Sequence, residues 1–344
     1  MSRQVLIARQ DSLGDVLLAG PAVRAVAASG AAVTLLCGPR GRAAAELLPG
    51  LAEVLEWRAD WIDAEPQALT PAHVSRFVES IRERRFEEAL ILTSYHQSPL
   101  PLALLLRMAG VPRVAAVSED YPGSLLDVRH RTPSDIHEVE RSLSLMAACG
   151  YELPEDDDGR LRLIGVGAPH PLVEAVRPYV VVHPGASVSA REWPQERYVE
   201  LLELLVERGG NVVVTGAPSE AGLTARICGR PDPRILDLGG ATDLPGLAAT
   251  IACAEAIVVA NTGPAHLAAA VGTPVVSVYA PTVPSVRWRP WGVPCRLLER
   301  DIACAGCRAR ECPIAGHPCM EEIAAAEVVQ ALGELAFAGE VVGA

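Results

Sequence analysis

Short apolar runs closed by glycine, proline or aspartate turns alternate with stretches of helical periodicity along most of the chain. Val5-Leu6-Ile7-Ala8 opens the pattern as a strand, and Asp15 to Ala28 follows as a helix with Leu17, Leu18, Val23 and Val26 turned inward. Val33-Thr34-Leu35-Leu36 and Glu88-Ala89-Leu90-Ile91-Leu92-Thr93 predict further strands, with a charged surface helix from Pro71 to Arg85 between them. The strand runs are apolar throughout rather than alternating, so both faces are covered. Strands of that kind separated by helices are joined as parallel βαβ units.

The segment from Tyr151 to Pro171 breaks the rhythm with Glu155-Asp156-Asp157-Asp158-Gly159 and Gly165-Val166-Gly167-Ala168-Pro169-His170-Pro171. A domain boundary is expected there. The pattern then restarts: Tyr179–His183, 211–216, Ala256–Ala260 and 275–279 read as strands, and Pro194 to Arg208 as a helix. The expectation is an α/β protein with two Rossmann-like domains, 1–165 and 166–344, facing each other across a central cleft; the last helix is a candidate to pack back on the first domain.

Length agrees with that division, since 344 residues make about two domains of ordinary size. Half the residues are hydrophobic and the net charge is -12, with every basic residue an arginine. Both halves are acidic, which excludes nucleic acid as the main partner and leaves at most peripheral membrane association. The N-terminus carries no leader pattern and no run reaches the ~18 apolar residues of a membrane span, so a cytoplasmic location is expected.

Three segments carry chemistry. Asn261-Thr262-Gly263-Pro264 leads from a predicted strand into the helical run Ala265-His266-Leu267-Ala268. Thr262 or Asn261 can cap that helix and Pro264 suits its first turn. Free N–H groups and the positive helix end there suit a diphosphate, Gly263 permits close approach, and His266 lies one turn in. The plain alternative is a capped helix with a core histidine. Second, His183-Pro184-Gly185-Ala186-Ser187 precedes Arg191-Glu192-Trp193-Pro194. Ser187 and the Arg191 guanidinium suit phosphate oxygens, and Trp193 anchors the following helix. Third, Asp11-Ser12-Leu13-Gly14-Asp15 fills the first strand-to-helix turn, with Gly14 expected to permit a tight bend. Asp15 either caps the helix or takes a proton from an acceptor hydroxyl.

In this order the three segments resemble glycosyltransferase family 9, the heptosyltransferase family of GT-B fold, over nearly the whole chain. Gly272-Thr273-Pro274-Val275-Val276, Ala280-Pro281-Thr282 and Trp288-Arg289-Pro290-Trp291-Gly292 add to the likeness. The resemblance implies an inverting, metal-independent transfer from an ADP-activated heptose or related sugar, with no cofactor required. It implies that Asp15, on a loop with Ser12 and Gly14 facing the acceptor, is the base. Ser187, Thr262, Gly263 and His266 would hold the donor diphosphate, Arg191 replaces a family lysine, and Thr242 falls near the adenine loop. Asn261 falls among the donor-binding positions but departs from the pattern, because many members carry aspartate there. The acceptor is either lipopolysaccharide core or a small soluble intermediate. A nucleotide-sugar 2-epimerase and a non-catalytic nucleotide-sugar-binding relative are the alternatives.

Nine cysteines are present, five of them between residues 295 and 319. The spacing of Cys304, Cys307, Cys312 and Cys319 suffices for tetrahedral zinc; reduced structural thiols or a local disulfide are the plainer reading. Arg76, Arg82, Arg84 and Arg85, interleaved with Glu79, Glu83, Glu87 and Glu88, read as a solvated helix face.

Overall fold

The structure, a computed structural model, describes residues 2–342, with side chains through Leu335. The chain divides into two compact units, Met1–Ile164 and Gly165–Ala344.

The first unit holds six strands: Gln4–Ala8 (β1), Ala32–Cys37 (β2), Glu53–Glu56 (β3), Glu88–Ile91 (β4), Arg113–Val117 (β5) and Val128–His130 (β6). All pair in parallel, in the order β3-β2-β1-β4-β5-β6. The second unit repeats the design with Tyr179–His183 (β7), Asn211–Gly216 (β8), Ile235–Gly239 (β9), Ala256–Ala260 (β10), Val275–Val278 (β11) and Cys295–Leu298 (β12). Their order is β12-β11-β10-β7-β8-β9, again parallel throughout. Counted from its own first strand, each sheet has the order 3-2-1-4-5-6, so both units are doubly wound.

The apolar runs bury both faces of each sheet. In the first unit Leu6, Leu36, Ile91 and Val114 pack with Phe77, Ile81, Leu102 and Leu106 from the flanking helices. In the second, Val182, Val214, Val258 and Val276 pack with Trp193, Tyr198, Leu201 and Met320. The indole of Trp193 donates to the carbonyl of Ile323 at 3.0 Å and meets Tyr198 edge-on at 4.8 Å, which fixes the start of helix Gln195–Glu207. The final helix, Ala325–Val342, packs on that helix and on β10, β11 and β12 of its own unit.

One predicted element is divided. The stretch expected as a single helix forms two, Leu13–Leu18 and Gly20–Ala27, with Pro21 in the first turn of the second. Proline lacks the N–H that would continue the ladder, so the axis restarts at Ala19. Gly14 lies inside the first helix and is not among the positive-φ glycines, so it makes no tight bend. Helix Pro71–Arg84 buries Phe77, Val78 and Ile81, while Arg82 pairs with Glu79 and Arg84 with Glu53 at 2.9 Å.

The start of β4 is pinned by charge. Glu88 is fully buried, and its carboxylate accepts from Arg3 at 2.9 Å and from the Tyr151 hydroxyl at 2.5 Å, with Arg113 at 3.2 Å. Replacing it leaves a buried hydroxyl and two arginines without their acceptor. Glu88→Ala is therefore expected to lower unfolding free energy by about 2 kcal/mol, the arginines being partly solvated. Urea denaturation checks this; an unchanged midpoint would mean that water replaces the carboxylate without loss.

Candidate active site

In a doubly wound sheet the connections from two adjacent strands leave in opposite directions, and the edge at their carboxyl ends stays open. The order places that point between β1 and β4 in the first unit and between β7 and β10 in the second.

At the first switch point the chain leaves β1 through Arg9, Gln10 and Asp11. Arg9 is 1% exposed. Its Nε lies 2.9 Å from Asp11, its Nη2 donates to Asp15 Oδ1 at 2.8 Å and to Ser94 Oγ at 3.0 Å, and its Nη1 lies 3.3 Å from Glu138. The other Asp15 oxygen accepts from the Ser12 hydroxyl at 2.7 Å and from the Ser12 amide at 3.3 Å. Asp15 thus caps helix Leu13–Leu18 and joins the ion network at once, with 15% of its side chain exposed. Asp11 also accepts from Gln97 at 2.5 Å and Ser94 at 3.3 Å. Glu138, at the start of helix Glu138–Ala148, is shared with Arg141, which donates to the Thr93 carbonyl.

Three carboxylates around one guanidinium shift protonation. Burial raises the Asp11 pKa to about 6; Asp15 adds to the rise, and Arg9, Gln97 and Ser94 oppose it. For Arg9, burial favours losing the proton, but the charges of Asp11, Asp15 and Glu138 outweigh it and hold the guanidinium above its ordinary value.

At the second switch point the β7 loop brings Arg191, on the turn Ser189–Arg191, against the end of β10. Its Nη1 donates to the Asn261 carbonyl at 3.3 Å and its Nε to Thr282 Oγ1 at 3.4 Å. Thr262 is the N-cap of helix Gly263–Val271 in extended conformation, and its hydroxyl makes no capping bond. Pro264 lies in the first turn, and Gly272, at φ 82°, ends the helix. His266 is buried on that helix. Asn261 is buried, and its amide donates to the Ala280 carbonyl at 3.1 Å and accepts from the Ala280 amide at 3.2 Å. That two-way bond ties the ends of β10 and β11 and fixes which side-chain atom is nitrogen. His183 ends β7 beside Thr215 at 3.0 Å, and burial lowers its pKa to about 4. Glu220 accepts from the Ala217 amide at 2.7 Å and lies so close to Gly185 that a Cβ there would come within 2.0 Å of the carboxylate.

The segment after β12 is laid over this edge. Gly306 donates to the Pro281 carbonyl at 2.7 Å and Arg308 to that of Thr282 at 2.9 Å, while Ala190 donates to the Arg310 carbonyl at 3.1 Å. His317 Nε2 lies 3.1 Å from the Ala190 carbonyl.

The model of glycosyltransferase family 9 (heptosyltransferase) matches residues 74–317, well over half the chain. This chain belongs to that family. The family 9 chain is 29% identical to lipopolysaccharide heptosyltransferase 1 of Pseudomonas aeruginosa, over 90% of its own length and 87% of the relative's. E. coli ADP-heptose LPS heptosyltransferase II has the same fold, with TM-score 0.73, 21% identity and coverage of 98% and 99%. A glycosyltransferase family 9 structure from Veillonella parvula superposes with TM-score 0.78 at 15% identity, covering 97% and 98%. The α/β, GT-B fold and the glycosyltransferase class expected from the sequence are shown.

In this family 9 member the structure joins Arg191 to Asn261 and Asp15 to Ser12. Ser187 is exposed on the loop after β7, and Thr242 lies after the edge strand β9, just before Asp243, which caps helix Leu244–Ala252. The Asn261 side chain is committed to Ala280. Among the described residues no group of three or more His, Cys, Asp or Glu side chains is arranged to hold a metal ion. Cys307 is exposed while Cys319 is buried. Among the described residues no helix is long and apolar enough to cross a membrane. Sequence reasoning missed Arg9, Ser94, Gln97 and Glu138, and it passed over Asp11. The polar triplet Arg9-Gln10-Asp11 at the end of an apolar strand was the available signal.

The folded state favours protonated Asp11, because its pKa lies above the ordinary 3.8. That contribution is full below the ordinary value and is lost as pH rises through about 6. Asp11→Asn, which cannot ionise, should gain stability relative to the native chain between about pH 4 and about pH 7, by roughly 1–3 kcal/mol. Paired thermal melts across that range measure it, and parallel curves for the two proteins would count against the buried ionisation.

Proposed function

We propose that the protein is an inverting heptosyltransferase that moves a heptose from an ADP-activated donor to a hydroxyl of lipopolysaccharide core. The observation that carries the reading is Arg191, set against the Asn261 carbonyl and Thr282 at the N-terminal end of helix Gly263–Val271. A cation beside the first turn of a helix at a switch point suits a diphosphate. Likeness to the Pseudomonas lipopolysaccharide heptosyltransferase and to E. coli ADP-heptose LPS heptosyltransferase II supports the donor and acceptor classes.

In this scheme the first unit serves the acceptor and the second the donor. Asp15 takes the proton from the acceptor hydroxyl as its oxygen attacks the anomeric carbon opposite the diphosphate. The bond from that carbon to the diphosphate oxygen breaks, ADP departs, and the new glycosidic bond has inverted configuration. Charge growing on the leaving oxygen is met by Arg191, the Thr262 hydroxyl, the Gly263 turn and the helix end, with Ser187 on the facing loop and His266 behind. Thr242 is assigned to the adenine side, and Asn261 acts by holding the turn. The scheme calls on no metal or further cofactor. It takes place in the cytoplasm, with contact to the membrane surface at most peripheral.

A panel of ADP-, GDP- and UDP-sugars against deacylated lipopolysaccharide core and small soluble acceptors, read by mass spectrometry, tests the assignment. Glycosylated core with ADP-heptose alone is expected. Sugar isomerised without acceptor, or donor bound and never turned over, would reject it. Asp15→Asn should lower kcat at least ~100-fold with donor Kd unchanged. Arg191→Ala should weaken ADP binding about 10-fold or more, measured by calorimetry.

A further inference from the structure

Asp15 does not stand in solvent as a lone carboxylate. The guanidinium that holds it is itself buried at the end of β1 and is held in turn from three sides: Asp11 on its own loop, Ser94 after β4, and Glu138 on helix Glu138–Ala148. A surface arginine would swing among rotamers; this one has each of its three nitrogens on a carboxylate within 3.3 Å. Its link to Asp15 is therefore fixed in length and direction, and Ser12 fixes the other oxygen.

We propose that Arg9 is a positioning residue for Asp15, holding its carboxylate oriented and in charged form for proton abstraction, and that Asp11 tempers Arg9 by competing for the same guanidinium. The inference rests on the reading of Asp15 as base. A cation 2.8 Å away favours the ionised carboxylate, and a neighbouring carboxylate disfavours it. Asp11 shares the same guanidinium, so the field of Arg9 is divided between two neighbouring carboxylates. Among the described residues, the charged groups facing this site include Arg9, Asp11, Glu138 and Arg141. On the helices packed against helix Leu13–Leu18, Arg24 is engaged with Asp157, Arg42 with Glu46, and Arg40 is exposed. Asp11 and Asp15 interact, so their protons leave in steps that belong to the pair.

The test is the pH dependence of kcat for the full chain with ADP-heptose and deacylated core, from about pH 5 to about pH 9. Arg9→Gln should lower kcat about 10-fold or more, leave the donor KM unchanged, and move the acid limb up by about one pH unit. Arg9→Lys keeps the charge without the fork, so its limb should stay near the native one with intermediate kcat. Asp11→Asn should move the limb the opposite way, to lower pH, and it leaves Arg9 paired with two carboxylates, so it remains decisive if Arg9→Gln does not fold. An unmoved limb in Asp11→Asn, or an Arg9→Gln enzyme as active as the native one, overturns the proposal. Asp15→Asn separates the two levels: full turnover there rejects the base itself, whereas an inactive Asp15→Asn beside unmoved limbs rejects only the role of Arg9.

Discussion

A parallel sheet delivers the carboxyl ends of all its strands to one edge, and the candidate site residues here are placed by that edge. Crossover helices cover the faces, so ligand-accessible backbone survives only at the strand ends. Between β1 and β4, and between β7 and β10, the connections diverge. The turns carrying Asp15 and Arg191 lie at those two places and follow the first strand of each sheet.

The two edges solve the problem of holding polar groups in different ways. The first uses formal charge: Arg9 among Asp11, Asp15 and Glu138, with Arg141 behind. Such a group is tolerated in a protein interior only when each charge has partners, so the network constrains its members as much as it stabilises them. The second edge is mostly neutral. It relies on main-chain groups, on the amide of Asn261 and on a histidine that burial keeps uncharged near neutrality. The half-buried Arg191 brings positive charge to it.

Legibility in the sequence followed the range of the interactions. Tyr179–His183, 211–216 and Ala256–Ala260 were readable to the residue because a doubly buried strand declares itself in five or six consecutive positions. The break at Ala19 was not read, since Pro21 stands among residues otherwise well suited to one long helix. Asp15 was visible as a carboxylate in a strand-to-helix turn. Its partner Arg9 meets Glu138, 129 positions away, and no local pattern announces such a pairing. Asn261 was read as facing the donor, yet the direction of its amide is decided by Ala280, whose backbone arrives with the neighbouring strand. Family likeness pointed to the turns; their partners are set by the tertiary fold.

The segment that follows β12 is bonded at Pro281 and Thr282 on one side and at Ala190 on the other. It works as a tie-bar between two turns that belong to different strands. Motion of the Ser189–Arg191 turn must drag Thr282 with it, and the Asn261–Ala280 bond extends the same restraint to the head of helix Gly263–Val271. These turns are ordered by bonds within the chain itself. An anion docking against Arg191 therefore meets a surface with little conformational freedom left to lose, and the entropic cost of its association is reduced accordingly.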